Sequence, residues 1–238
     1  MGMKKRNFIF GIFSLFVNIN FLASESDEQE IPKYKLNFLG DQSVGKSCIM
    51  ERFVNDNFSK DYQTTNGLEF KSKIVKIEEQ DDQKIKFLLY DTAGQEKFRS
   101  LIPMYTRDAN IILLVYDVTS KNSFLHLPDW LNFLTDNGID IKDKIFAVVG
   151  NKIDFIDTRQ VTIEEGENYA KENKFIFKEV SAATGDGINE LFDIILKEML
   201  KKKPEGPTTT YPQPEIIKIQ ESGGKIEPEG GEKDCCCC

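Results

Sequence analysis

Cysteine is nearly missing from the body of this 238-residue chain: of five, Cys48 stands alone and the other four form the run Cys235-Cys236-Cys237-Cys238. That placement does not make a disulfide framework, and the folded part reads as intracellular. Adjacent thiols without spacers are also poorly placed to wrap a tetrahedral Zn²⁺. Histidine and tryptophan occur once each. His126, between Leu125 and Leu127, reads as a surface or partly packed helix residue and not as a ligand, while Trp130 and Phe133 read as core of the same helix. Cationic residues are outnumbered, 31 Lys and Arg against 39 Asp and Glu, and the net charge of −8 disfavours nucleic acid as a partner. Phosphate held locally by backbone N–H groups and a single lysine remains compatible with that charge. There is no internal repeat, and the most apolar stretch, residues 8–23, is short for a membrane span and diluted by Asn18 and Asn20.

What is present suits one globular domain of about 150 to 200 residues with tails. The composition, 40% hydrophobic and 29% charged, is enough for a real core. We place the domain at 31–203, between an N-terminal extension, 1–30, and a C-terminal tether, 204–238. In the extension, Lys4-Lys5-Arg6 followed by the apolar stretch has the outline of a secretory signal, with a loose cleavage site near Ala23 and Ser24. Three readings stand: a working signal or anchor, an extension packed on the domain or a membrane surface, or sequence not translated in the mature protein. Gly2 does not make a myristoylation site, because Arg6 stands where that motif wants Ser or Thr.

The chain is organised around Gly40-Asp41-Gln42-Ser43-Val44-Gly45-Lys46-Ser47, a G-x-x-x-x-G-K-S run directly after the apolar stretch 34–39. It reads as a phosphate-binding loop. The glycines let successive N–H groups turn inward at the start of a helix whose dipole favours an anion. Lys46 reaches the terminal phosphates and the Ser47 hydroxyl offers an oxygen of the kind Mg²⁺ takes. Cys48 begins the helix that follows.

Periodicity supplies the rest of the architecture. An amphipathic helix follows the loop and ends near Asn55-Asp56-Asn57. Residues 68–78 alternate as a strand and turn through 79–82 into a second strand, 84–90, giving a hairpin. Residues 111–116 and 145–149 are continuous apolar runs, as expected for strands covered on both faces. Helices are expected at 123–137, at 162–172 behind a capping box that opens at Thr162, and at 187–203. This predicts a doubly wound α/β fold, a mostly parallel six-stranded sheet with one antiparallel edge strand and helices on both faces. Ligands in such folds sit at the carboxyl ends of the strands. Four loops there carry patterns: Thr64-Thr65-Asn66-Gly67, Asp91-Thr92-Ala93-Gly94-Gln95-Glu96, Asn151-Lys152-Ile153-Asp154 and Ser181-Ala182-Ala183. Each is weak alone, but their order along one edge makes coincidence remote.

Over about 33–200 the sequence resembles the Ras-like small GTPases, and within them the Rab family. The Rab likeness rests on Gly67-Leu68-Glu69-Phe70, Lys97-Phe98-Arg99-Ser100-Leu101, Tyr105-Thr106-Arg107-Asp108-Ala109 and Leu114-Val115-Tyr116-Asp117-Val118-Thr119. Gln42, the run from Arg99 through Tyr105 and Arg159-Gln160-Val161 look most like the Golgi-associated subgroup. The resemblance implies a GTP-hydrolysing switch with Mg²⁺ on Ser47, Thr65 and, through water, Asp91. It implies that the Gly94 N–H senses the γ-phosphate and that Gln95 orients the attacking water. Gly40, Gln42, Ser43, Val44, Gly45, Lys46, Ser47, Cys48 and Tyr62 would line the nucleotide, with Phe58 covering the base. Asn151 and Asp154 would read guanine, flanked by Lys152, with Ser181, Ala182 and Ala183 closing the pocket. An acceptor-only aspartate facing adenine is left unpaired, which is how GTP is chosen over ATP.

Three positions depart from the family: Asn66 for the usual Ile, Tyr90 for the Trp usual in Rabs, and Ala183 for the usual Lys. Ala183 forgoes an aliphatic stem near the base, and Tyr90 alters the aromatic set Phe70, Tyr90 and Tyr105 that effectors touch. A nucleotide kinase or ATPase would share only residues 40–47, and Asn151-Lys152-Ile153-Asp154 argues against it. A non-hydrolysing scaffold on the same fold is the other alternative. Intrinsic hydrolysis is expected to be slow, since the segment before Thr65 has no arginine to act in cis. Partners implied are effectors, an exchange factor, an activating protein, and prenylation and GDP-dissociation-inhibitor machinery, all for a monomer. Two of Cys235, Cys236, Cys237 and Cys238 are expected to carry geranylgeranyl groups, and two chains suffice for anchoring on the cytoplasmic face of a Golgi or vesicle membrane.

Overall fold

The computed structural model describes residues 31–59, 68–77, 83–92 and 96–202, with side chains 96–98 excepted. The chain divides into Met1–Glu30, outside the described residues, and Ile31–Cys238, to which every element below belongs. Six strands, β1 (Lys33–Leu39), β2 (Leu68–Lys76), β3 (Lys84–Thr92), β4 (Ile111–Asp117), β5 (Ile145–Asn151) and β6 (Ile176–Glu179), form one sheet in the order β2-β3-β1-β4-β5-β6. Only the β2–β3 pair is antiparallel. This is the expected doubly wound sheet with its hairpin at one edge, the fold of the phosphate-loop small G proteins.

The apolar runs are continuous because each strand feeds two cores. On β4, Ile111, Leu113 and Val115 enter one cluster and Ile112, Leu114 and Tyr116 the other; on β5, Ala147 and Val149 part from Phe146 and Val148 in the same way. The first cluster is closed by α1 (Lys46–Asn55) and α6 (Ile188–Lys201), the second by α4 (Leu127–Asp136) and α5 (Ile163–Asn173). β2 lies at the edge, half-buried or exposed along its length, and alternates accordingly. Thr162 caps α5 in the expected box, its side chain accepting from the Glu165 N–H and Glu165 reaching back to the Thr162 N–H. Among the described residues no helix is long and apolar enough to cross a membrane.

Two differences from the expected elements have physical causes. The helix expected at 123–137 is two helices, α3 (Lys121–Leu125) and α4, meeting at His126. Pro128 has no N–H and its ring crowds the carbonyl one turn back, so it opens a new helix rather than continuing the old one, while Ser120 caps the start of α3 earlier than periodicity suggested. The second difference is a stretch between the 91–96 pattern and the apolar run at 111–116 to which the sequence reading gave no element. Residues Glu96–Leu101 form a 3₁₀ turn that runs into the short α2 (Ile102–Thr106), with Pro103 in its first turn. Leu101 and Met104 stay exposed there, so no amphipathic stripe marked it.

Candidate functional site

The loop between β1 and α1 bends through left-handed conformations at Ser43 (φ 63°) and Gly45 (φ 93°), with Gly40 at φ 144°. Two glycines are required by packing. A Cβ on Gly40 would lie 2.2 Å from the Val115 carbonyl oxygen, and one on Gly45 would lie 2.2 Å from Asn151 Nδ2. The Lys46 ammonium, on a residue only 5% exposed, donates to the carbonyls of Gly40 (2.9 Å) and Asp41 (2.6 Å), so the loop closes around its own lysine. At the head of α1, the Ser47 hydroxyl donates to Asp91 Oδ2 at the end of β3. Asp91 is fully buried, and Thr92 beside it ties β3 to the Phe38 carbonyl of β1 at 2.8 Å.

The hydroxyl of Ser47 and the carboxylate of Asp91 form a hard-oxygen donor set that suits Mg²⁺. Among the described residues no three His, Cys, Asp or Glu side chains converge on a metal-sized site.

Opposite the sheet, Asp41 joins the phosphate loop to α4. Its Oδ1 accepts from Trp130 Nε1 at 2.9 Å and its Oδ2 lies 2.6 Å from His126 Nδ1. His126 therefore holds its proton to higher pH than a free histidine, first through that hydrogen bond and then through the carboxylate's charge. The Arg99 guanidinium lies over Trp130 (4.7 Å) and Phe133 (4.6 Å), bringing the 3₁₀ turn against the same helix. The single tryptophan is core, as expected, with a polar handle on the loop. The single histidine is exposed and ion-paired.

The base side is assembled from three distant segments. Asn151, buried at the end of β5, donates from Nδ2 to the Val44 carbonyl (2.9 Å) and accepts on Oδ1 from the Ala182 N–H (3.1 Å). It thus spans from phosphate loop to base loop. Lys152 has φ 70°, a strained conformation for a non-glycine residue. Its ammonium pairs with Asp117 Oδ2 at 3.1 Å, and Asp117 is itself held by the Thr119 N–H and hydroxyl. Ser181 donates to Asp154 Oδ1 (2.6 Å) and accepts from the Thr184 N–H (3.1 Å).

These groups meet at one pocket. Gly45, Cys48, Phe58, Asn151, Lys152 and Asp154 line it together with Ala182 and Ala183, all of them expected there. Phe155 lines it too and was not expected; it directly follows the N-K-x-D pattern, whose reading stops one residue short. Arg52 was missed as well. Its guanidinium reaches the loop after β6, and nothing in the spacing of a helix announces that. Tyr62, Thr65, Gly94 and Gln95 lie outside the described residues.

A lysine-centred phosphate loop, a serine and aspartate at adjoining strand ends, and an aspartate-bearing base pocket on this sheet order define a phosphate-loop protein of the small G-protein class. The Ras family model matches residues 35–201, and the chain belongs to the Ras family. It is a small GTPase, a guanine-nucleotide switch.

Proposed function

We propose that this GTPase is a Rab-type regulator of vesicle traffic, most like the Golgi-associated subgroup, working on the cytoplasmic face of a Golgi or vesicle membrane and cycling with the cytosol. The observation that carries this reading is an aromatic group at the edge of the sheet. Phe70 on β2 and Tyr90 on β3 have ring centroids 5.1 Å apart, and Tyr90 and Tyr105 on α2 are 6.3 Å apart. Phe70 is 39% exposed, and Met104, next to Tyr105 in the chain, is 59% exposed. Apolar residues presented between the segments that respond to nucleotide fit a protein partner that reads the bound state. Tyr90 sits between Phe70 and Tyr105, with the Lys35 ammonium 4.6 Å from its ring.

In this reading Lys46 exchanges its loop carbonyls for phosphate oxygens, Asp154 pairs with the guanine edge, and Phe58 and Phe155 flank the base. Ser47, Thr65 and, through water, Asp91 would hold Mg²⁺, which when bound would neutralise charge on the phosphates. Gln95 orients water and the Gly94 N–H senses the γ-phosphate. Hydrolysis is slow until an activating protein completes the site. An exchange factor, effectors, and prenylation and GDP-dissociation-inhibitor machinery complete the cycle. Cys235–Cys238 supply two prenylated residues. The tail near them is acidic (Glu227, Glu229, Glu232, Asp234), so the lipids carry the attachment alone.

The test is the intact mass and terminal peptides of the protein from its own cells. Two added isoprenoids are expected; a chain cut within 23–26 with unmodified terminal cysteines would overturn the membrane-tethered reading.

A further inference from the structure

Arg52 lies on α1, six residues beyond Lys46 and about 9 Å along the helix axis at the usual rise. Its side chain leaves the helix for the loop after β6. Nε donates to the Ala182 carbonyl at 2.9 Å and Nη2 to the Ala183 carbonyl at 2.7 Å, so one rigid fork holds two consecutive peptide oxygens. The third nitrogen, Nη1, bonds both the backbone oxygen and Oδ1 of Asp56, each at 3.2 Å, and this fixes the plane of the fork. Asp56 caps α1 in the left-handed conformation and begins the segment that leads to Thr65.

The consequence for the base pocket follows from peptide geometry. In a trans peptide the N–H points opposite to the C=O. Holding the Ala183 carbonyl on Arg52 directs the Thr184 N–H the other way, where it meets Ser181 Oγ, the hydroxyl that donates to Asp154. Holding the Ala182 carbonyl likewise turns the Ala183 N–H away from α1. The same loop carries the Ala182 N–H to Asn151. Two of the loop's donors, the Ala183 and Thr184 N–H groups, are thus set by carbonyls that the fork pulls outward, while the Ser181 carbonyl, whose peptide carries the Ala182 N–H, is held within the loop by the Gly185 N–H at 2.8 Å. Ala183 offers no long side chain to brace the loop from the pocket side, and the Arg52 fork holds it from behind.

We infer that Arg52 is the positioning residue of the guanine pocket: it locks the Ser181–Ala183 loop to the phosphate-loop helix and so sets how long nucleotide stays bound. It touches no substrate atom. The inference rests on the GTPase reading of the pocket and adds to it a residue that controls nucleotide release without entering the chemistry.

The experiment uses the full chain loaded with fluorescent GDP, with release followed after adding excess unlabelled GDP, alongside single-turnover hydrolysis of bound GTP. Arg52→Ala should speed release about tenfold or more, the loss expected for removing charged donors from two carbonyls, while hydrolysis of bound GTP stays within about twofold. Arg52→Lys keeps the charge but has a single nitrogen that cannot span both oxygens, and should release at an intermediate rate; it decides the matter if the alanine variant does not fold. Release at the wild-type rate in either soluble variant overturns the inference. So does a matched loss of hydrolysis and release control, which marks general structural damage. A wild-type chain that holds no guanine nucleotide would sink the GTPase reading first, and is told apart because it shows before any substitution.

Discussion

The two halves of the pocket are built by opposite means. The phosphate half is a single run of eight residues, 40–47, in which backbone conformation does most of the work and one lysine supplies the charge. The base half is made by side chains and loops drawn from α1, β5 and the end of β6, held by Asn151, Lys152, Ser181 and Arg52. The contrast is that the phosphate-side residues come from one run of sequence, although Asp41 and Val44 tie that run to α4 and β5. The residues proposed to read the base are brought together only by the assembled fold.

The largest break in that contrast comes from Lys46→Ala. Removing two to three charge-assisted hydrogen bonds should weaken GDP and GTP alike by roughly 1000-fold, measured by equilibrium titration, with no change in base preference. Asp154→Asn attacks the other half alone. It should cost roughly 100-fold for GDP, and a xanthine diphosphate, whose C2 carbonyl accepts from the new amide, should bind the variant better than GDP does. Equal losses for both bases would show that Asp154 is not the reader.

How much of this was legible in the sequence follows the same division. Residues 40–47 could be read outright because a backbone nest needs only its own glycines and the flanking strand and helix. The continuous apolar runs at 111–116 and 145–149 likewise announced strands with two covered faces, and the Thr162 box announced its helix. What could not be read depends on contacts across the fold. Arg52 looks like an ordinary helix cation until β6 brings two carbonyls beside it, and Phe155 looks like a loop hydrophobe until Phe58 shares its pocket. The break at His126 was visible in Pro128, but the apolar period runs through it and hid it. The turn at Glu96–Leu101 packs through Arg99 over Trp130 and Phe133, contacts that leave no periodic trace.

Smaller effects sharpen the comparison where the phosphate loop meets α4. Trp130→Phe deletes the Nε1 donor to Asp41 and should lower stability by about 1 to 2 kcal/mol, read as a shifted denaturant midpoint, while guanine over adenine preference holds. The least effect is a pH effect at His126. Its folded-state proton affinity is raised above the unfolded value, so its contribution is fully present below about pH 6.5 and fades as pH rises through the higher folded value. Asp129 adds to the shift, whereas Arg99 and the slight burial oppose it. The melting temperature of His126→Gln should therefore fall below wild type by most near about pH 6 and match it by about pH 9. An equal deficit at both values would mean that packing, not the ion pair with Asp41, is what the histidine supplies.

The most direct measurement is the nucleotide content of the full chain as purified, released by denaturation and separated by anion-exchange chromatography. A pocket built as described here should carry guanine nucleotide, mainly GDP, near one per chain and no adenine nucleotide. Bound ADP or ATP in its place would contradict the assignment of Asp154 and the loops around it as a guanine reader.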